Sequence, residues 1–120
     1  MSRTLLIVED HTATRDLLRE LFGMVGDYEI TEAANGAEAL THLRERTYDA
    51  MTTDGDMPRM NGDELLETAR NENRLPGKYA MISANASKLQ AMKEELPDIK
   101  LVSKPVDFTA IKQLSDHLSS

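Results

Sequence analysis

The feature that most constrains the fold of this chain is a regular alternation of short apolar runs with segments of helical periodicity. The runs recur about every twenty residues, with no linker or low-complexity tract between them. Residues 5–8 are apolar at consecutive positions, which is typical of a strand covered on both faces. The pattern predicts strands at residues 4–8, 28–33, 48–53, 78–82 and 99–103.

Between these strands the apolar residues fall on helical stripes. The first helix is predicted over residues 12–25. Its apolar stripe carries Leu17, Leu21 and Val25, with Leu18 and Phe22 beside them. Further helices are predicted from an Asn35 cap to about residue 46, over residues 63–73 and over about 86–95. Asp107 is expected near the start of a last helix that carries Phe108, Ile111, Leu114 and Leu118.

Strands that alternate with helices indicate an α/β protein with a parallel sheet and right-handed crossovers. We predict a single doubly wound, flavodoxin-like sheet of five strands in the order 2-1-3-4-5, flanked by five helices. The second and fifth strands alternate between apolar and polar residues, which places them at the sheet edges.

Composition narrows the class of protein. A chain of 120 residues is predicted to form one domain, residues 1–120, and the absence of cysteine excludes disulfides and thiolate sites. The net charge of −7 argues against direct nucleic-acid binding. No apolar stretch is long enough for a membrane span, and the first residues lead directly into a strand without a signal peptide. We therefore expect a cytoplasmic protein with no membrane partner.

Polar side chains follow four of the predicted strands, at the point where each strand ends. They are Glu9 and Asp10, then Asp54, then Ser83, and finally Lys104. In the predicted strand order the carboxyl ends of these strands meet at one edge of the sheet, where open α/β sheets bind ligands.

Grouped in this way, the side chains suit phosphoryl transfer. Three carboxylates close together require a cation or a raised pKa, and hard oxygen ligands at an open site suit Mg²⁺. Glu9 and Asp10 are expected to hold the metal, with Asp54 also in contact. Asp54 can act as a nucleophile toward phosphorus, while Lys104 neutralises charge and the Ser83 hydroxyl donates to a phosphoryl oxygen.

At this point the chain resembles the receiver domain of two-component response regulators over essentially its whole length. The similarity rests on Glu9-Asp10, on the stretch from Asp54 through Met57-Pro58 and Met60 to Gly62, on Ser83-Ala84 and on Lys104-Pro105.

The resemblance implies that a histidine kinase or histidine phosphotransfer domain donates a phosphoryl group to Asp54, followed by hydrolysis that depends on Mg²⁺ (or Mn²⁺). It implies a metal contact from the Asp56 backbone carbonyl and phosphoryl contacts at Ser83, Ala84 and Lys104. It also implies a cis peptide between Lys104 and Pro105. Such a domain changes its binding to partners, including an output protein, and turns over no external substrate.

The chain departs from the family pattern at Leu101, where the family usually has a tyrosine or phenylalanine that changes exposure during switching. Two positions at the rim are expected to tune the phosphoryl lifetime: Asp56, two residues after the acceptor, and Asn85, two after Ser83. We hypothesise that Asp56 repels or orients the attacking water.

Two other functions compete with this interpretation. Because of Leu101, the chain could be an interaction module that keeps the receiver fold but works without phosphorylation. Asp54-Gly55-Asp56 also mimics the signature of haloacid-dehalogenase-like phosphatases, which use an aspartate nucleophile. In those enzymes, however, the signature follows the first strand.

Overall fold

The computed structural model of this protein describes residues 2–120, in which strands and helices alternate strictly. The strands are Arg3–Val8 (β1), Tyr28–Ala33 (β2), Ala50–Asp54 (β3), Lys78–Ser83 (β4) and Lys100–Ser103 (β5). The helices are Thr12–Val25 (α1), Gly36–Glu45 (α2), Gly62–Asn71 (α3), Ala86–Glu95 (α4) and Phe108–Leu118 (α5).

All five strands are parallel and pair in the order β2-β1-β3-β4-β5. This confirms the predicted α/β sheet, including the placement of the alternating strands β2 and β5 at its edges. β1 lies between β2 and β3, so the chain reverses its direction of winding next to β1.

Strand β3 begins and ends later than predicted. It runs from Ala50 to Asp54 instead of over residues 48–53, so Asp54 is the last residue of the strand. Asp49 instead forms hydrogen bonds with Thr4 at the start of β1. The Asp49 N–H donates to the Thr4 carbonyl at 3.1 Å, and the Asp49 carboxylate accepts from the Thr4 N–H at 2.9 Å.

The sheet is covered on both faces by separate apolar clusters. One face packs against α2, α3 and α4, and the other packs against α1 and α5. Each fully buried leucine or isoleucine in these clusters contributes about 1.5–3 kcal/mol. The consecutive apolar residues of β1 serve both clusters: Leu6 and Val8 face one, and Leu5 and Ile7 face the other.

The predicted stripe on α1 is wrong in one position. Leu18, Leu21 and Phe22 are buried, whereas 41% of Leu17 is exposed. The buried stripe is centred one residue further along the helix, and Leu17 lies at its margin, beside the site described below.

Side chains cap the amino ends of the helices. Asn35 caps α2 as predicted, and Asp107, expected near the start of α5, caps that helix. Each accepts from a backbone N–H of the first turn at 2.8 Å. His11 begins α1 by the same arrangement, with its Nδ1 3.4 Å from the Thr14 nitrogen. Histidine is not among the preferred capping residues, so the sequence pattern did not indicate this role.

Candidate functional site

The candidate site lies at the carboxyl ends of β1, β3, β4 and β5, as the strand order requires. Glu9 follows β1, Asp54 and Ser83 are the last residues of β3 and β4, and Lys104 follows β5. The site side chains singled out in the sequence are therefore brought to one edge of the sheet.

Three carboxylates converge in this site. One oxygen each from Glu9, Asp10 and Asp54 lies within 4.8 Å of the others. Glu9 is 1% exposed and Asp54 is 8% exposed, whereas Asp10 is open to solvent. Two of the three negative charges are thus held where water screens them poorly.

Lys104 supplies the positive charge that these carboxylates face. Its Nζ lies 2.8 Å from Glu9 Oε1 and 3.3 Å from Asp54 Oδ2. Burial raises the pKa of Glu9, and the nearby Asp54 raises it further, although hydrogen bonds from Lys104 and the His11 N–H act in the opposite direction. For Lys104, burial opposes the charged form, but the contacts with Glu9 and Asp54 outweigh it and the pKa is raised.

The backbone around Asp54 is packed too closely to admit another atom. The Gly62 N–H donates to the Gly55 carbonyl at 2.9 Å and the Thr53 hydroxyl donates to the Asp54 carbonyl at 2.9 Å. A Cβ on Gly62 would lie 2.1 Å from the Asp54 carbonyl oxygen. Glycine at position 62 therefore lets the start of α3 pack closely against the end of β3.

The Ser83 hydroxyl lies beside the loop that follows Asp54. A Cβ on Gly55 would lie 3.0 Å from Ser83 Oγ, which already accepts from the Asn85 N–H at 3.0 Å. Ala84 lines a shallow apolar cavity of about 350 Å³ together with Lys104 and Pro105. The peptide bond between Lys104 and Pro105 is cis.

Asp56 lies at the rim, with its backbone N–H 3.4 Å from Asp54 Oδ1. Its carboxylate is held by Lys88, a residue that sequence reasoning missed, with 2.6 Å between Lys88 Nζ and Asp56 Oδ1. This hydrogen bond lowers the pKa of Asp56, and a contact with Asn85 adds to the effect. Asn85 also caps α4 through the Lys88 N–H at 3.0 Å, so it has a structural role as well.

The donor set fits a hard divalent cation. It contains only oxygen ligands, one of them on an exposed carboxylate, and Mg²⁺ prefers such sites because it retains several of its waters. Both Glu9 oxygens already accept hydrogen bonds, one from Lys104 and one from the His11 N–H. A cation here would therefore rest most directly on Asp10 and Asp54.

Comparison with known proteins agrees with this geometry. The family model of the response regulator receiver domain matches residues 5–116. The chain belongs to the receiver domain family. It is a signalling domain of the kind found in two-component systems, and its sheet is the CheY-like, flavodoxin-like sheet.

The relatives of this receiver domain include both small and large proteins. The chemotaxis protein CheY of Pseudomonas aeruginosa is 30% identical over 91% of this chain and 90% of its own length. The sensor histidine kinase RcsC of Salmonella typhi is 34% identical over 91% of this chain. The matched region is only 11% of RcsC, and for the sensor protein EvgS of Escherichia coli K12 it is 6%.

Solved structures give the same fold. The CheY-like receiver domain from Methylobacillus flagellatus has a TM-score of 0.83 and 27% identity, covering 98% of this chain and 99% of its own. Within residues 2–120, every helix is too short or too polar to reach across a lipid bilayer.

Leu101, the position at which this receiver domain departs from the family pattern, lies in the edge strand β5. It is partly buried and packs against the cluster shared with α2, α3 and α4. It is paired in register with Met81 of β4, two residues before Ser83. An apolar side chain is thus accommodated at this position by ordinary core packing.

Proposed function

We propose that this receiver domain accepts a phosphoryl group on Asp54 from a phosphohistidine and changes its partner binding until the group is hydrolysed. The observation that carries the proposal is the environment of Asp54. Its carboxylate is nearly buried at a strand end, with an ammonium 3.3 Å from Oδ2 and two further carboxylates beside it. A fixed positive charge beside a positioned carboxylate is what phosphoryl transfer requires.

Each side chain has a separate task in this proposal. Asp54 is the nucleophile and loses its own negative charge when the acyl phosphate forms. Lys104 then faces the phosphoryl oxygens as a compact counter-charge. The Ser83 hydroxyl, with the Ala84 backbone beside it, donates its hydrogen to a phosphoryl oxygen, while its oxygen remains able to accept from the Asn85 N–H.

Asp10 and Asp54 would hold Mg²⁺ or Mn²⁺ directly, with Glu9 acting through water and the Asp56 carbonyl as a further ligand. When bound, the metal supplies positive charge that neutralises the phosphoryl group. Lys104 keeps Glu9 oriented toward this position through its 2.8 Å hydrogen bond.

The proposed donor is a histidine kinase or a histidine phosphotransfer domain. An apolar surface formed by Leu17, Pro105 and Val106 adjoins the acceptor pocket, and Lys104 lines both. Because this surface is continuous with the pocket, we propose that it contacts the partner whose phosphohistidine approaches Asp54. The relative RcsC is itself a sensor histidine kinase.

Mass spectrometry of the intact protein tests the acceptor. After incubation with acetyl phosphate and Mg²⁺, the wild-type chain is expected to gain one phosphate, and Asp54→Ala is expected to gain none. Asp16→Ala, which removes an exposed carboxylate from α1, is the matched control and should be modified like the wild type. A phosphate gain that persists in Asp54→Ala would overturn the site assignment.

This experiment and a separate phosphatase assay distinguish the competing functions. Leu101 favours an interaction module that works without phosphorylation, and a wild-type chain that gains no phosphate would support it. Turnover of a phosphomonoester would instead support a phosphatase, although Asp54 ends the third strand and not the first. For a receiver domain we expect stoichiometric self-modification only.

A further inference from the structure

Lys88 forms a bridge between the start of α4 and the loop that follows the acceptor. Its Nζ lies 2.6 Å from Asp56 Oδ1, 3.1 Å from Asp63 Oδ1 and 3.1 Å from the Gly55 carbonyl oxygen. The ammonium donates hydrogen bonds to Asp56 and to the Gly55 carbonyl, and its contact with Asp63 is an ion pair. We call this set of contacts the Lys88 bridge.

The Lys88 bridge has a well-covered lysine, although the Asp56 side chain at its other end is 60% exposed. The lysine side chain is only 16% exposed, whereas in the pair between Lys112 and Asp116 both partners are more than half exposed. Exposed pairs of that kind contribute about 0–1 kcal/mol and fix little geometry. The Lys88 stem also packs on the acceptor loop, since a Cβ on Gly55 would lie 2.9 Å from its Cδ.

The bridge determines where the Asp56 carboxylate lies. Asp56 is joined to the acceptor by its backbone N–H, 3.4 Å from Asp54 Oδ1, so its side chain stands at the edge of the proposed phosphoryl site. The bridge holds that side chain on the side of the loop that faces α4.

We propose that Lys88 is a positioning residue that restrains the Asp56 carboxylate and thereby lengthens the life of the phosphoryl group on Asp54. The inference rests on the proposed function, because it concerns the hydrolysis of that group. Without the bridge, the Asp56 carboxylate is free to turn toward the site and accept a hydrogen bond from the attacking water.

The reaction affected is simple hydrolysis. The water oxygen forms a new bond to phosphorus while the bond between phosphorus and Asp54 Oδ breaks. Asp54 regains its carboxylate, inorganic phosphate leaves, and one water proton passes to solvent or phosphate. A carboxylate that accepts a hydrogen bond from this water orients the water and stabilises the positive charge that develops on it as the bond to phosphorus forms.

A double-mutant cycle on the phosphorylated protein tests this role. The four chains are wild type, Lys88→Met, Asp56→Ala and the double variant, each labelled with acetyl phosphate and Mg²⁺ and then freed of the donor. Lys88→Met is expected to shorten the half-life about 2–10-fold, the range set by one hydrogen bond to the attacking water. In the Asp56→Ala background the same substitution should change the half-life little.

Control variants separate this role from a loss of stability. Lys88→Arg keeps the charge and should recover most of the wild-type half-life. Lys112→Met removes one charge from a distant exposed pair and should leave the half-life unchanged. Melting temperatures identify any variant that is unfolded during the assay.

The outcomes distinguish the two proposals. If the wild-type chain gains no phosphate, both are overturned. If it is phosphorylated but Lys88→Met leaves the half-life unchanged, lengthens it, or shortens it equally with and without Asp56, only the role of Lys88 is overturned. A selective shortening that requires Asp56 supports it.

Discussion

The sharpest test of the site architecture is to place the same methyl group on two glycines, Gly62 and Gly23. At Gly62 the new Cβ would lie 2.1 Å from the Asp54 carbonyl oxygen and 3.1 Å from the Gly55 Cα. At Gly23, inside α1, it would meet nothing within 4 Å. We therefore expect Gly62→Ala and Gly23→Ala to change stability in opposite directions.

The magnitudes follow from the contacts. Ordinary van der Waals contact begins at 3.4 Å, so the Asp54 carbonyl must move by about 1.3 Å from a methyl group placed at 2.1 Å. Such overpacking costs about 1–3 kcal/mol, and the better helix propensity of alanine returns less than about 1 kcal/mol at the first residue of α3. A net loss of about 2 kcal/mol lowers the melting temperature of a chain this long by about 8 °C.

Gly23→Ala has only the gain in helix propensity, because the space around Gly23 is open and its φ is not positive. We expect it to raise the free energy of unfolding by about 0.5–1 kcal/mol. Urea unfolding followed by circular dichroism measures both changes under the same conditions. The two variants share one chemical substitution and differ only in surroundings.

Gly62→Ala should also impair phosphorylation, because the atoms that must move belong to Asp54, the proposed acceptor. A displacement of about 1 Å in a reacting group is enough to slow a reaction about 100-fold. Phosphorylation by acetyl phosphate, measured while the variant is folded, should therefore fall sharply, whereas Gly23→Ala should react like the wild type. The reasoning fails if Gly62→Ala is as stable as the wild type, or if Gly23→Ala is destabilised.

Three further predictions concern charge and hydrogen bonding. Asp54→Asn should raise the free energy of unfolding by about 1 kcal/mol without divalent cations, because it removes the repulsion between Asp54 and Glu9. Added Mg²⁺ should narrow the difference between variant and wild type in urea unfolding. A variant that is less stable than the wild type in the absence of cations would contradict this. Thr52→Val should leave stability unchanged or raise it by up to about 2 kcal/mol, because the buried Thr52 Oγ1 has no hydrogen-bond partner within residues 2–120. A clear loss of stability on thermal unfolding would reveal an overlooked partner. Asp49→Asn should destabilise the protein near neutral pH, and the loss of stability should shrink as the pH falls. The Thr4 N–H lowers the pKa of Asp49 in the folded protein, so the ionised carboxylate stabilises the fold above its unfolded pKa and stops doing so as the pH falls through the folded pKa. A stability difference that stays constant between about pH 6 and about pH 3 would refute this.

The strands and their order in the sheet could be predicted from the sequence, because both follow from the periodicity of apolar residues within single segments. The apolar residues of β1 require cover on both faces, and the alternating β2 and β5 accept edge positions. Once that strand order holds, the convergence of Glu9, Asp54, Ser83 and Lys104 follows without any knowledge of side-chain conformation.

The Lys88 bridge could not be predicted in the same way. It joins two segments more than thirty residues apart through the rotamer of one long side chain, which no local pattern specifies. The cap at His11 and the exposure of Leu17 were missed for a related reason. The observed bounds of α1 are the predicted ones, but the cap depends on the conformation of the His11 ring and the exposure of Leu17 depends on how the helix is rotated against the sheet, and periodicity specifies neither.

The charge balance of the pocket explains why a cation belongs in the proposed mechanism. Three carboxylates and the single ammonium of Lys104 leave two negative charges in excess, and burial already raises the pKa of Glu9. A divalent cation cancels that excess. Phosphorylation then replaces the single charge of Asp54 with about two on the phosphoryl group, so the modified site is again negative by about one. An additional free carboxylate from Asp56 would increase this imbalance, and its pairing with Lys88 keeps that charge compensated outside the pocket.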